Sequence, residues 1–336
     1  MKSLAMLMLA AFLAAAASAP PPSAADTSCP GSSRSFLGSR LDFPFFVWDG
    51  EGHGEGLGQY ESPSALAAVE EGTRTLIVVA DTGNHRLKAI THEGFFQDFW
   101  GGRGDGPGRL HSPGGLAMSL EGDLWVADTG NHRLQKLRAR RDEVGSLTGQ
   151  SLAVIGRRGK AKGDFEAPTA VAVDSRGNVY VADTGNHRVQ KLSPEGKFLA
   201  AWGSRGSGPG QFESPGGIAV DARGNLYIAD TGNHRVQKLD SRGRFLRQWG
   251  GRGDSPGQLD SPRGLALDGA GFLYVADTGN HRLQKLDPEG GPLALAGCAG
   301  SGAGQLDRPA ALVLDREGFL YVADAGNHRV QKLGPQ

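Results

Sequence analysis

The stretch Ala229–Arg235, with the sequence Ala-Asp-Thr-Gly-Asn-His-Arg, is one of six nearly identical copies of one motif. The sixth copy departs from the others by having Ala325 in place of Thr. The Asn residues of the six copies recur at steps of 47 residues, with one step of 55: Asn84, Asn131, Asn186, Asn233, Asn280 and Asn327. A period of this length is typical of repeat architectures, in which each copy forms one structural unit.

Around each motif the sequence alternates between short apolar runs and turn residues. In the fourth copy the apolar runs are 217–221, 226–230, 235–239 and 245–249, and Gly, Asn or Asp stands between them. This pattern predicts four antiparallel strands per copy, and no helical period is found outside the first residues. The fold class is therefore predicted as all-β, a six-bladed β-propeller of four-stranded antiparallel blades. The expected repeats are 60–101, 110–156, 165–203, 212–250, 259–297 and 306–333.

The ends of the repeat region indicate how the ring closes. The sixth copy ends at Leu333, after its third strand, whereas the aromatic run Phe43–Trp48 precedes the first copy. We expect residues 43–49 to supply the missing fourth strand, which would leave no open sheet edge. The propeller domain is accordingly placed at 43–336.

Two copies are longer than the rest. The first has surplus residues at 70–74, which we interpret as a longer first turn. The second accounts for the 55-residue step, and its surplus falls at 138–150, which we interpret as a longer connection between the third and fourth strands.

The beginning of the chain is typical of an export signal. Lys2 precedes an apolar run from Leu4 to Ala17, which is too short to span a bilayer comfortably, and we predict a signal peptide at 1–25. Residues 26–42 read as an irregular lead-in, and we expect a secreted, monomeric protein without a membrane span. In an oxidising compartment Cys29 and Cys298 are able to pair, although two free thiols fit the sequence nearly as well.

The repeated residues resemble the NHL repeat, which is named for its Asn-His-Leu core. The resemblance is carried by Asp-Thr-Gly-Asn-His-Arg-Val-Gln, by the preceding Gly-Asn-Leu-Tyr-Ile-Ala and by Ser-Pro-Gly-Gly-Ile-Ala-Val-Asp, and it covers residues 60–333. Membership of this family implies a six-bladed propeller. It also implies a choice of functions, because NHL-like propellers include the zinc- and calcium-dependent lyase that completes peptide amidation, and intracellular NHL domains that bind RNA.

Each copy ends its second strand with an Asp and has an Arg five residues later. We expect the Asp carboxylate to accept N–H groups of the adjacent turn and to pair with the Arg. Repetition in six copies favours a structural role, because a catalytic site needs positions that differ from the rest. The pairs are Asp81 and Arg86, Asp128 and Arg133, Asp183 and Arg188, Asp230 and Arg235, Asp277 and Arg282, and Asp324 and Arg329.

The six His residues of the motif form a ring by symmetry: His85, His132, His187, His234, His281 and His328. Three converging His would suit zinc. Equivalent positions of a six-bladed ring stand far apart, so we expect these residues to pack between blades, and we predict no metal site and no cofactor.

The loops that lead into the blades share one face with the motif turns, and they differ from copy to copy. They carry the candidate ligand-binding cations Arg103, Arg157, Arg158, Lys160, Lys162, Arg205 and Arg252. Four of these form a cluster at 156–166, where Asp164 and Glu166 are the only acids. Arg binds carboxylates, sulfates and phosphates through paired hydrogen bonds, so an anionic partner is favoured.

The expected function is a secreted, non-catalytic scaffold that binds a protein, peptide or glycan through this face, and we expect the chain not to be an enzyme. The alternative is a metal-dependent lyase similar to the amidating lyase, with zinc and calcium as cofactors. RNA binding is the weaker alternative, because 36 Lys and Arg balance 36 Asp and Glu, and we predict no nucleic-acid partner.

Overall fold

A computed structural model describes residues 45–48, 53–72, 74–141 and 147–335 of the chain. Their strands form six separate four-stranded antiparallel sheets. The first strand of each sheet contacts the first strand of the next, and the last sheet contacts the first, so that the sheets close into a ring. The prediction of an all-β, six-bladed propeller is confirmed.

Within each sheet the strands run in order from the channel outward. Blade 1 consists of β2 (Ala65–Glu71), β3 (Arg74–Asp81), β4 (Arg86–Thr91) and β5 (Phe96–Gly101). Blade 2 consists of β6 (Gly115–Met118), β7 (Asp123–Asp128), β8 (Arg133–Arg141) and β9 (Leu147–Ile155). Blade 3 consists of β10 (Ala170–Val173), β11 (Val179–Asp183), β12 (Arg188–Leu192) and β13 (Phe198–Trp202).

The remaining three blades follow the same plan. Blade 4 consists of β14 (Gly217–Val220), β15 (Leu226–Asp230), β16 (Arg235–Leu239) and β17 (Phe245–Gly250). Blade 5 consists of β18 (Leu265–Leu267), β19 (Leu273–Asp277), β20 (Arg282–Leu286) and β21 (Pro292–Ala296). Blade 6 consists of β22 (Pro309–Leu314), β23 (Phe319–Asp324), β24 (Arg329–Pro335) and β1 (Phe45–Trp48).

Blade 6 is shared between the two ends of the chain. Strand β1 pairs antiparallel with β24, and the register runs from Phe45 opposite Leu333 to Trp48 opposite Val330. The predicted closure by an N-terminal strand is therefore confirmed, and β24 continues to Pro335 beyond the expected repeat end. The predicted signal peptide and lead-in, at 1–42, lie outside the described residues.

The core consists of six clusters, each between two neighbouring blades. Alternate residues of a strand point to opposite faces of its sheet. In β15, Leu226 and Ile228 pack against blade 3, whereas Tyr227 and Ala229 pack against blade 5. Burial of both faces explains why the second strands are apolar at nearly every position, and it makes each blade depend on its neighbours.

The motif turns are single 3₁₀ turns in five blades: Thr129–Asn131, Thr184–Asn186, Thr231–Asn233, Thr278–Asn280 and Ala325–Asn327. The His after each turn has a left-handed backbone, with φ of 55° at His234. Residues other than Gly are uncommon in this conformation, but His is enriched in it together with Asn and Asp.

The two longer copies differ from their predicted form. In blade 2 the surplus residues lengthen β8 and β9, which pair from Arg138 opposite Gln150 to Arg141 opposite Leu147. In blade 1 the pairing of β2 with β3 likewise extends to Glu71 opposite Arg74. Both insertions therefore extend a hairpin, and the predictions of a longer turn and a longer connection are wrong.

Candidate ligand-binding face

The repeated Asp is fully buried and is hydrogen-bonded at both carboxylate oxygens. In blade 4, Oδ2 of Asp230 lies 2.7 Å from Nε of Arg235 and 3.0 Å from Nε2 of Gln237. Oδ1 accepts the backbone N–H of Glu213 at 2.7 Å. The expected Arg partner is present in all six blades, at 2.6–2.8 Å. The backbone N–H donor differs from the expected one, because Glu213 belongs to the loop before β14. The turn after Asp230 contributes the side-chain amide of Asn233, at 2.9 and 3.0 Å.

The same network ties that loop to the motif turn. The Arg235 guanidinium donates to the carbonyl oxygens of Gly208 and Gln211, at 3.0 and 3.1 Å. Asn233 donates to the carbonyl oxygen of Gly206 at 2.9 Å. The loops before the first strands and the 3₁₀ turns are thus held together on one face of the propeller, which we call the loop face.

The repeated His residues link neighbouring blades. Nδ1 of His187 in blade 3 accepts the backbone N–H of Ser214 in blade 4 at 3.0 Å. His328 accepts from Ser62 at 3.1 Å and so joins blade 6 to blade 1. The equivalent acceptors are His85, His132, His234 and His281. An acceptor nitrogen carries no proton, so these bonds require the neutral ring with its proton on Nε2.

All seven predicted cations are exposed on the loop face. Four of them share one repeat position, where each forms an isolated backbone bridge across its own loop: Arg103, Arg158, Arg205 and Arg252. They belong to four different blades. The structure therefore spreads these cations around the ring and does not bring them together at one point.

Several of these cations are paired with acids of their own loop. Arg158 lies 3.1 Å from Glu166, and Arg205 lies 2.9 Å from Glu213. The hydrogen bonds from these arginines lower the pKa of both glutamates, which therefore remain charged at neutral pH. Arg157 lies 3.4 Å from Asp164. Charge counting along the sequence thus overstates the positive potential of the 156–166 loop.

Two of the predicted cations lie beside a cleft of about 370 Å³ between blades 3 and 4. Its lining residues are Lys160, Gly185, Asn186, His187, Arg188 and Arg205. Lys160 makes no ion pair with any described residue, and its backbone carbonyl holds Arg188 at 2.8 Å. Oδ1 of Asn186 is buried without a hydrogen-bond partner among the described atoms. Lys162, by contrast, is directed to Phe198, with its ammonium 5.8 Å from the ring centroid.

A second group of loop-face residues lies at the mouth of the central channel. The residue after the repeated Pro lines this mouth in every blade: Ser64, Gly114, Thr169, Gly216, Arg263 and Ala310. Arg263 is the one charged residue at this position. The sequence prediction missed Arg263, although an alignment of the six copies at the position after Pro would have shown it.

The remaining predicted site features involve cysteine and metal ligands. Cys298 is disulfide-bonded, and Cys29, its suggested partner, lies outside the described residues. In the part of the chain that the structure describes, no three His, Cys, Asp or Glu side chains are grouped so that they could hold a metal ion. None of the described helices is long and apolar enough to cross a membrane.

Five segments of the chain match the family model of the NHL repeat: 110–137, 165–192, 212–239, 259–286 and 306–333. The chain is an NHL-repeat protein. Each matched segment runs from the loop before the first strand of a blade into its third strand. The NHL signature thus coincides with the buried Asp network and the His contacts between blades. No curated protein sequence matches this NHL propeller.

Solved structures share its fold at low identity. A gluconolactonase from Xanthomonas campestris has a TM-score of 0.66 and 17% identity, covering 95% of this chain and 98% of its own. A streptogramin B lyase has a TM-score of 0.57 and 13% identity, covering 88% and 98%. An inactive virginiamycin B lyase from Staphylococcus aureus, determined with quinupristin, has a TM-score of 0.54 and 13% identity, covering 88% and 89%.

These structures contradict the prediction that the chain is not an enzyme. Gluconolactonase and streptogramin B lyase are enzymes built on this same propeller. The prediction rested on the sixfold repetition of the motif, which favours a structural role. Repetition of the framework does not argue against catalysis, because the framework is separate from the loop-face positions that vary. At these identities the likeness shows the shared fold alone.

Proposed function

We propose that this NHL propeller binds an anionic group of a protein, peptide or glycan partner, and that the cleft between blades 3 and 4 holds that group. The observation that carries the proposal is the charge of Lys160. The equivalent positions of the other blades are acidic or neutral: Glu55, Asp105, Ser207, Asp254 and Ser301. Lys160 therefore reverses the charge of a repeat position at one point of the ring.

The surroundings of Lys160 support an anionic ligand. Its ammonium forms no direct ion pair among the described residues and acts on Glu166 only from a distance, helping to lower the pKa of that carboxyl, whereas Arg158 and Arg205 each pair directly with a glutamate. Arg205 lies on the other side of the cleft, 73% exposed, and retains N–H donors that Glu213 does not use. A carboxylate, sulfate or phosphate placed between Lys160 and Arg205 would accept hydrogen bonds from both, and bonds between charged groups are the strong ones.

The proposal is tested with two anionic probes, a heparin oligosaccharide for sulfated glycans and a polyglutamate peptide for acidic proteins. Lys160→Glu introduces the residue type that blade 1 has at Glu55, so the loop should fold normally. We expect binding of the preferred probe to weaken roughly tenfold or more, since charged hydrogen bonds contribute about 1.5–3 kcal/mol. The affinity is measured by titration calorimetry at several salt concentrations.

Arg176→Glu is the matched control, because Arg176 is exposed in the turn between β10 and β11, on the face opposite the loop face. It makes the same change in net charge away from the cleft. Equal losses in the two variants would show that only the overall charge matters, and unchanged binding in Lys160→Glu would refute the site.

Export through the segment 1–25 stays a proposal, and N-terminal sequencing of the mature protein tests it.

A further inference from the structure

Three departures from the repeat meet at the mouth of the central channel. Arg263 stands where the other blades have Ser, Gly, Thr or Ala. Arg308 stands where the others have Ser or Ala, and Ala325 stands where they have Thr. All three line one pocket of about 220 Å³, together with Ser62, Thr278 and Ala310. Positions that break a symmetric repeat are the ones that can encode a specific ligand, because the framework does not require them.

The replacement of Thr by Ala325 opens this pocket. In the other five blades the Thr hydroxyl donates to the carbonyl oxygen of the repeated Pro in the next blade, as Thr231 does to Pro262 at 2.7 Å. Ala325 has no hydroxyl, so blade 6 cannot make the equivalent bond to Pro63. The junction of blades 6 and 1 has lost a side-chain contact at the point where the pocket lies.

The pocket has a positive charge and unused hydrogen-bond donors. The Arg263 guanidinium makes no hydrogen bond or ion pair with any described residue, and the residue is exposed. Arg308 lies 3.4 Å from Asp307, which is also 3.2 Å from Nδ1 of His281. The Ser62 hydroxyl likewise makes no hydrogen bond to described residues. Of the two guanidinium groups only one is balanced by a carboxylate, so the pocket favours an anion.

Below the mouth, neighbouring inner strands approach each other closely at two glycines. A side chain at Gly217 would place its Cβ 1.8 Å from the carbonyl oxygen of Arg263, and one at Gly264 would meet Cα of Ala311 at 2.6 Å. Glycine is therefore required at these two positions. The backbone of Arg263 is thus packed closely against Gly217 of blade 4, whereas its side chain is exposed.

We propose that this pocket binds a small oxyanion, a carboxylate or a phosphate, either free or at the end of a small molecule. Arg263 supplies a planar fork of N–H donors that matches two oxygens of either group. Arg308 and the Ser62 hydroxyl supply further donors from blades 6 and 1. The site is separate from the cleft between blades 3 and 4, and it shares no lining residue with that cleft.

The test is titration calorimetry with inorganic phosphate and, separately, with acetate. Arg263→Gly introduces the residue found at the same position in blades 2 and 4, Gly114 and Gly216, so the variant should fold. We expect saturable binding of at least one of the two anions to the unmodified protein. In Arg263→Gly that affinity should fall roughly tenfold or more, since the ligand loses a charged, paired hydrogen bond. The anion that binds more tightly identifies the ligand class.

A chemical readout locates the bound anion. Phenylglyoxal modifies accessible guanidinium groups, and peptide mass spectrometry measures its rate at each arginine. The bound anion should slow modification at Arg263 and leave Arg176 unaffected. In Lys160→Glu the anion should protect Arg263 as it does in the unmodified protein, so the two proposed sites fail or succeed separately. Equal affinity in Arg263→Gly, no saturable binding of either anion, or no protection of Arg263 would each overturn the inference.

Discussion

The junction of blades 4 and 5 and the junction of blades 6 and 1 are made by the same residue positions, but they are not equally bonded. Both have the His contact, with His234 accepting from Ser261 at 3.1 Å and His328 accepting from Ser62 at 3.1 Å. Only the first has the hydroxyl bond, from Thr231 to Pro262. The closing junction has Ala325 there, and its sixth blade is completed by β1 from the other end of the chain.

This difference distinguishes the contacts that every blade makes from a contact that one junction lacks. The buried Asp network and the His contact occur in every blade, including the blade formed from both termini. The Thr hydroxyl is dispensable at one junction, and that junction contains the channel-mouth pocket. We infer that the network within blades supports the fold. A contact between blades on the loop face can be lost at little cost in stability, and a binding site can form in its place.

The largest effect is expected when the shared network is broken. Asp230→Ala leaves Nε of Arg235 and the backbone N–H of Glu213 without their acceptor in a fully buried site. Removing one partner of a buried ion pair costs about 3–5 kcal/mol. The free energy of unfolding, measured by denaturant titration, should fall by that amount.

An exposed pair of the same blade is the control. Arg244 pairs with Asp240 at 2.6 Å, but its side chain is 73% exposed. Arg244→Ser should therefore change stability much less than Asp230→Ala, because exposed pairs are weak. A loss in Asp230→Ala no larger than in this control would show that the network does not support the blade.

The second largest effect is expected from changing the Thr hydroxyl bond at the two junctions. Thr231→Ala should destabilise the ring by about 1 kcal/mol, the usual net contribution of a hydrogen bond. Ala325→Thr should have the opposite sign, because the new hydroxyl can donate to Pro63 as the other five donate to their Pro. Thermal and denaturant midpoints of both variants measure the two changes.

The same substitution also tests the pocket. The added hydroxyl and methyl of Ala325→Thr occupy space that the pocket contains, so phosphate or acetate should bind more weakly as stability rises. A variant that is no more stable than the unmodified protein would mean that the closing junction differs from the others in more than this hydroxyl.

Much of the fold could be predicted from the sequence, because the same pattern of apolar strands and turn residues recurs in every copy. Apolar runs and Gly, Asn and Asp turns defined the blades, and the missing strand after Leu333 indicated closure by the run that ends at Trp48. The insertion in blade 2 was misjudged, because Arg- and Gly-rich residues suggest a turn, whereas cross-strand pairing of β8 and β9 decided the structure. Pairing of that kind is a tertiary effect that a local pattern does not contain.

The candidate site was harder to predict for a related reason. Arg and Lys in a loop carry no sign of whether an acid of the same loop will neutralise them, as Glu166 does for Arg158. The channel mouth was missed because Arg263 is a single residue in a Gly- and Pro-rich stretch. An alignment of the copies shows that this residue is unusual, and the folded ring shows that the six positions after Pro meet around one axis.

The smallest effect concerns acid sensitivity at the junction of blades 1 and 2. At this junction His111 takes the place of the acid found in the other blades, such as Asp260, which lies 3.1 Å from His234. Burial, together with the nearby His111 and Arg103, lowers the pKa of His85. The unfolded chain therefore binds a proton more readily than the folded one as pH falls through about 6.5. The stability that His85 contributes is present above that pH and is lost below it.

Replacing His111 by an acid and Asp260 by His tests whether the residue beside the motif His sets the acid sensitivity of each junction. In His111→Glu a carboxylate would stabilise protonated His85, so the drop in Tm between pH 7.5 and pH 5.5 should become smaller, by roughly 2–4 °C or less. In Asp260→His the junction of blades 4 and 5 should become more acid-sensitive, since His234 loses its carboxylate. Protonation at Nδ1 removes the acceptor of the Ser112 N–H, at 2.9 Å from His85, so the effect should be confined to acidic pH. If the two exchanges shift the drop in Tm in the same direction, the residue beside the His does not set the acid sensitivity of the junction.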